Sequence, residues 1–190
     1  FVFEETGIAA YLVALWRQKE FQPAGGSRRV RFVDLGCGNG FLTHLLVSEG
    51  HEGFGLDKVS RKIWDLYPSD TRERLRVEDV DPEQATFPEV DWLIGNHSDE
   101  LTPWLPEIAR RSGPGTRYFV IPCCFWDRQG KYTHKAAGET RYETYLRFVE
   151  RCGTDNGFKV RSEPLRIPST KNIAQVGVPH TTRCESIETK

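Results

Sequence analysis

Methionine is missing from all 190 residues of this chain. A chain without even an initiator is expected to be a piece of a longer translation product, whose flanks leave room for further functional parts. Long apolar runs are missing as well. Nothing approaches the roughly 20 apolar residues that a bilayer-spanning helix needs, so no membrane segment is expected. Glu4 and Glu5 interrupt the apolar stretch at the amino end, against a signal peptide. Cysteine is scarce: Cys37, Cys123, Cys124, Cys152 and Cys184 are odd in number and unevenly spaced. They fit neither a disulfide framework nor a paired C-x-x-C metal pattern, and they point to a reducing compartment, cytosol or nucleus.

At 38% hydrophobic and 12% aromatic residues the chain has enough apolar material for one domain, taken as residues 1–190. The net charge of −1 conceals an asymmetry: residues 1–100 hold 11 Lys and Arg against 18 Asp and Glu, and residues 101–190 hold 15 against 9. The acidic half suits a cationic or neutral ligand, and the basic half an anion. Apolar patterning predicts helices over Thr6–Gln18, Phe41–Ser48, around Ile63–Tyr67, over Leu101–Arg111 (disturbed by Pro103 and Pro106) and over Thr140–Arg151. Strands are predicted at Val30–Leu35, Gly53–Leu56, Leu75–Val77, Val90–Ile94, Tyr118–Ile121, Lys159–Arg161 and Ala174–Val178, with a loop at Pro23–Ser27. This alternation implies an α/β sandwich with a mainly parallel sheet and an antiparallel terminal hairpin. Ligands of such sheets bind outside the carboxyl ends of the strands.

Asp34-Leu-Gly-Cys-Gly-Asn-Gly40 is the most informative segment. Its alternate glycines permit a tight turn and a close backbone approach to a ligand. A dinucleotide fingerprint needs a glycine where Phe41 stands, and no Gly-Lys-Ser/Thr follows for a P-loop. The acid Asp34 favours a cationic group over a phosphate. S-adenosylmethionine carries an ammonium and a sulfonium and no phosphate. Glu78 and Asp79 follow the third strand, where a side chain reaches the adenine amino group, and the expected cofactor contacts are Asp34, Gly36, Gly38, Asn39 and Gly40, with Asp57 on the ribose hydroxyls, Asp79 toward the adenine and Asn96 beside the donor.

Asp34–Gly40 followed by Asp57 resembles motifs one and two of the Rossmann-like class I methyltransferases. The runs Arg31–Gly40, Asp91–Trp104, Ile121-Pro-Cys-Cys-Phe125 and Arg166-Ile-Pro-Ser-Thr-Lys171 extend the likeness across the chain. Together they resemble the tRNA 2′-O-methyltransferases that act on uridine 44 of serine tRNAs. The resemblance implies a Rossmann-like fold, S-adenosylmethionine as methyl donor, tRNA as partner and a cytosolic setting. The glycine loop alone fits equally a class I methyltransferase with another substrate, and Asn96 in place of an acid leaves open a non-catalytic scaffold of the same fold.

Ribose methylation needs alignment of nucleophile, methyl and sulfur, and a group that takes the hydroxyl proton or stabilises the alkoxide. Related enzymes of the Lys-Asp-Lys-Glu type keep an acid where this chain has Asn96, an amide that cannot act as a base. His97 and Asp99 are the candidate proton acceptors, and Lys171 the cation that would lower the hydroxyl's pKa. Each also has a structural reading: a loop acid, a hydrogen-bonded histidine, a surface or phosphate-contacting lysine. Cys123 and Cys124 lack partners at metal-ligand or nucleophile spacing and read as small residues under the rim, so no metal is expected. Arg128, Lys131 and Lys135 form an acid-free basic stretch around Gly130, read as a mobile RNA-contacting loop.

Overall fold

The computed structural model describes residues 2–22 and 29–180; the Pro23–Ser27 segment and Cys184 lie outside the described residues. Seven strands form one sheet: β1 (Arg31–Leu35), β2 (Glu52–Asp57), β3 (Leu75–Val77), β4 (Trp92–Asn96), β5 (Arg117–Ile121), β6 (Phe158–Pro164) and β7 (Ile173–Pro179). Their order is β3-β2-β1-β4-β5-β7-β6. The first five run parallel, while β7 is antiparallel to both β5 and β6. The expected terminal hairpin is therefore present, with its second strand inserted between the first and the rest of the sheet.

The central strands are buried on both faces, as parallel strands covered by helices must be. Trp92 and Ile94 of β4, with Phe119 and Ile121 of β5, pack on α1 (Val2–Trp16) and α2 (Phe41–Ser48). Leu93, Tyr118 and Val120 point the other way, into α4 (Leu105–Ser112) and α5 (Arg141–Asp155). This alternation is the period of two of a pleated strand. Burial of each large apolar side chain contributes about 1.5–3 kcal/mol, and Trp92, Phe32, Phe119, Leu12 and Leu46 are all essentially inaccessible.

Local chemistry sets the helix ends. Thr140 and Glu143 form a capping box at the start of α5: the Thr140 hydroxyl accepts from the Glu143 amide at 3.2 Å, and the Glu143 carboxylate from the Thr140 amide at 2.7 Å. Two expected helices are altered. Lys62–Leu66 is a 3-10 turn rather than an α-helix, followed by a four-residue α3 (Ser69–Arg72) after Pro68. The 101–111 segment divides into a 3-10 stretch, Asp99–Trp104, and α4, because Pro103 has no amide to continue an α-helical ladder. Among the described residues no helix is long and apolar enough to cross a membrane.

The strand order reverses between β1 and β4: the chain winds outward from β1 to β3, then returns to the other side of β1. At such a switch point the loops leaving neighbouring strands diverge and open a crevice. The functional residues gather there.

Candidate active site

Asp34 is buried in β1, one residue before its end, with its side chain turned toward α2. One carboxylate oxygen accepts from the Thr43 hydroxyl at 2.9 Å, and the other is buried with no partner. Burial pushes its pKa up to about 7; the Thr43 hydrogen bond opposes the rise, and the charges of Glu5 and Asp57 add to it. A buried carboxyl with an unpaired oxygen and two acids for neighbours is a site that a cation would stabilise.

The glycine loop is fixed from below. Gly36 and Cys37 both donate their amides to the Leu56 carbonyl, at 2.8 and 2.9 Å, and the Gly38 amide donates to Asp57 at 2.9 Å. Gly36 and Gly38 have φ of +73° and +55°, the left-handed region that glycine enters without penalty. No atom lies within 4 Å of where a Cβ on Gly38 would stand, so the backbone there is open to a ligand. The amides of Gly36, Cys37, Gly38 and Gly40, by contrast, are engaged within the fold.

Above the loop lies a cavity of about 590 Å³ lined by Glu4, Glu5, Asp34, Gly36, Gly38, Asn39, Asp57, Glu78, Asn96, His97, Asp99 and Glu100, among others. Seven of these twelve are acids; Lys58 and Arg61 are the basic residues facing them. Asp57 also accepts from the Val59 amide at 3.1 Å and stands 3.9 Å from Arg61. A carboxylate has about four lone-pair directions, which leaves acceptor capacity for hydroxyls. Asn96 is buried at the end of β4, with its amide oxygen lacking a partner.

Some expected contacts are displaced. Asp79 does not line the cavity; it is exposed and pairs with Lys58 at 3.4 Å. Glu78 and Val80 line the cavity instead, Glu78 while exposed and Val80 buried, because alternate residues of an extended chain point the same way. Gly40 also stands outside the lining. It precedes α2 with φ of +78°, and a Cβ there would meet Leu75 at 2.7 Å, so its role is packing. Lys171 is not in the cavity either: its ammonium lies 3.9 Å from the Tyr142 ring centroid and 5.4 Å from that of Phe125.

His97 and Asp99 do reach the cavity, and both have left-handed backbone, φ +56° and +43°, uncommon for residues with a Cβ. Strain of this kind concentrates at functional loops. His97 Nε2 is 3.2 Å from Glu4 Oε1. Asp99, Cys123 and Cys124 bring a carboxylate oxygen and two sulfurs within 4.8 Å of one another, and both cysteines are half-buried.

The basic stretch is tied by local contacts. Asp127 accepts from the amides of Gln129 and Gly130, both at 2.8 Å, and Trp126 bridges to Lys131. Arg128 is bound to Glu107 at 2.8 Å and lies over Trp104, while Lys131 lies 3.5 Å from the Trp126 ring centroid. Among the described residues Lys135 has no such partner, and it is exposed.

A family profile described as "Predicted AdoMet-dependent methyltransferase" matches residues 1–82, the segment holding β1, the glycine loop, β2 and β3. A Homo sapiens protein named "Probable tRNA (uracil-O(2)-)-methyltransferase" is 50% identical over 95% of this chain. The chain is a relative of the tRNA (uracil-O(2)-)-methyltransferases. The Schizosaccharomyces pombe protein of that name is 35% identical over 93% of the chain. This chain spans 24% of the human relative's length and 41% of the yeast relative's. Among solved structures, the glycopeptide N-methyltransferase MtfA complexed with S-adenosyl-L-methionine shares the fold, with a TM-score of 0.57 at 15% identity, covering 94% of this chain and 95% of that one.

Sequence reasoning missed Glu4 and Glu5. Read only as breaks in an apolar stretch, they occupy the first turn of α1 and face the cavity. Asn39 donates to Glu5 at 3.1 Å; burial raises the Glu5 pKa, Asn39's hydrogen bond lowers it, and the second oxygen is left unpaired. Trp64 was also missed: its indole donates to the Gly38 carbonyl at 3.0 Å and clamps the glycine loop. No spacing rule links residue 4 to residue 97; only the docking of α1 on the sheet brings them together.

Proposed function

We propose that this chain is the catalytic methyltransferase domain of a cytosolic enzyme that uses S-adenosylmethionine to methylate the ribose 2′-hydroxyl of uridine 44 in serine tRNA. The observation that carries the reading is the buried Asp34 carboxyl, with an unpaired oxygen, in a cavity lined by acids above an open glycine backbone. That donor set fits a ligand with an ammonium, a sulfonium and a ribose. Asp34 and Glu5 supply the negative field for the cationic end, Asp57 accepts from the ribose hydroxyls, and Glu78 faces the base. Asn96 and the Gly38 backbone flank the donor. When bound, the donor supplies a methyl group activated by positive sulfur.

The chain's own residues handle the acceptor. Glu4 accepts from His97 Nε2, which fixes the tautomer and leaves Nδ1 as the lone pair for a proton. His97 is therefore the proposed base and Glu4 its positioning residue, with Asp99 beside it at the mouth of the cavity. Lys171, set on the aromatic pair Tyr142 and Phe125, is assigned to the RNA side. Similarity to the named relatives, at 50% and 35% identity over 95% and 93% of the chain, supports a tRNA uridine as substrate.

The test is transfer of labelled methyl from S-adenosylmethionine onto unmodified serine tRNA, with mass mapping of the product nucleotide. The expected product is 2′-O-methyluridine at position 44. Label on a base, on another nucleotide or on no RNA at all would overturn the reading.

A further inference from the structure

The structure assigns a zinc-class transition-metal site to Asp99, Cys123 and Cys124 at the mouth of the cavity. One carboxylate oxygen and two sulfurs, the donor atoms of these residues, lie within 4.8 Å of one another. Adjacent side chains of an extended chain point to opposite sides. Here the bend after β5 turns both sulfurs the same way, 3.6 Å apart. Two thiolates on a tetrahedral ion, each at about 2.3 Å, stand about 3.8 Å from one another, so the pair already spans an edge of that tetrahedron. The loop after β4 brings the third ligand, with Asp99 held in left-handed backbone and its carboxylate within 4.8 Å of both sulfurs.

The donor chemistry narrows the ion. Two soft sulfurs and one oxygen favour zinc over magnesium or calcium. Three protein ligands with a fourth position open are the composition of a catalytic rather than a structural zinc site. Asp99 is exposed and the cysteines half-buried, so the fourth position is open to water or substrate. Binding forms two metal–sulfur bonds and one metal–oxygen bond and releases the two thiol protons to solvent, without redox change. The resulting net charge is −1. The expectation of no metal rested on cysteine spacing alone, and spacing hid a ligand contributed by another strand's loop. Assigning the open position to the ribose hydroxyl, where the ion would make it more acidic, rests on the methyl-transfer reading; the binding itself does not.

Cobalt(II) titration of the full chain, stripped with a chelator, tests the site. About one equivalent should bind with sulfur-to-cobalt charge-transfer absorption and tetrahedral visible bands, and zinc should displace it. Bound zinc should also protect Cys123 and Cys124, but not Cys152, from alkylation read by peptide mass mapping. Cys123→Ser/Cys124→Ser should abolish the charge-transfer band, Asp99→Asn should weaken cobalt binding at least about tenfold, and Cys152→Ser should change neither. Absence of the band in the native chain, its survival in the double variant, or alkylation unaffected by zinc would overturn the site. Calorimetry with S-adenosylmethionine on the same sample separates the two readings: donor binding without the band defeats the metal alone, and the band without donor binding defeats the methyl-transfer reading alone.

Discussion

The donor side and the proposed RNA side of this molecule use their charges in opposite ways. Around the glycine loop, polar atoms are left waiting: Asp34, Glu5 and Asn96 each keep a buried oxygen without a partner. Along residues 126–147 the cations are mostly engaged within the fold. Arg128 is held by Glu107, Arg147 pairs with Glu139, Lys131 lies on Trp126 and Arg141 on Phe125. A charge in a sequence therefore says little about a charge available to a ligand. Buried groups with unspent hydrogen-bonding capacity say more, because leaving them so costs about 1–3 kcal/mol each.

The largest effect that sharpens this contrast is expected at the cavity mouth. Asp99→Ala and His97→Ala should each lower methyl transfer by about 10²-fold or more, with donor affinity nearly unchanged. Near-normal turnover would remove the residue from the mechanism. Glu4→Gln should shift the pH–rate profile in the same direction as loss of His97 orientation, and an unchanged profile would make Glu4 merely structural.

A smaller effect concerns pH. The Asp34 pKa is raised from 3.8 to about 7. Between those values the folded chain holds a proton that the unfolded chain has lost, so folding stability should fall as pH rises through this window. A cationic ligand favours the ionised carboxylate and reverses the sign for binding. Donor affinity should rise up to about tenfold from pH 6 to pH 8, and Asp34→Asn should bind weakly with a flat profile. A flat profile in the unmodified chain would break the electrostatic account of the cavity.

The smallest effect lies on the RNA side. Neutralising Arg128, Lys131 and Lys135 together should flatten the salt dependence of tRNA binding, and the structure shifts the weight to Lys135. Lys135→Ala alone should lower the log–log salt slope by about 1, whereas Arg128→Ala, which breaks the Glu107 pair and the Trp104 contact, should be read mainly in thermal stability. An unchanged slope for the triple variant would move RNA binding elsewhere.

These contrasts track what was legible beforehand. The strands from β1 to β5 and the glycine loop are local patterns, apolar runs ended by turn residues, and the structure places them within a few residues of expectation. Asp34, Gly38 and Asp57 share one strand–turn–helix–strand unit, so their meeting was readable from order alone. Glu4 with His97, Trp64 with Gly38, and Asp99 with Cys124 each join segments distant in sequence, and their pairing exists only after the sheet closes. Between Glu78 and Asp79 the sequence order does not decide which lines the cavity; the structure puts Glu78 there, and a side-chain period of two makes that one-residue choice matter. Arg128 was legible as a charge but not as an occupied one.

Calorimetric titration of the folded chain with S-adenosylmethionine tests the central claim most directly. Saturable binding is expected, weakened about 10- to 100-fold in Asp57→Ala by loss of charged hydrogen bonds to the ribose. No uptake of the donor or its demethylated product by well-folded chain, with or without tRNA, would contradict the account.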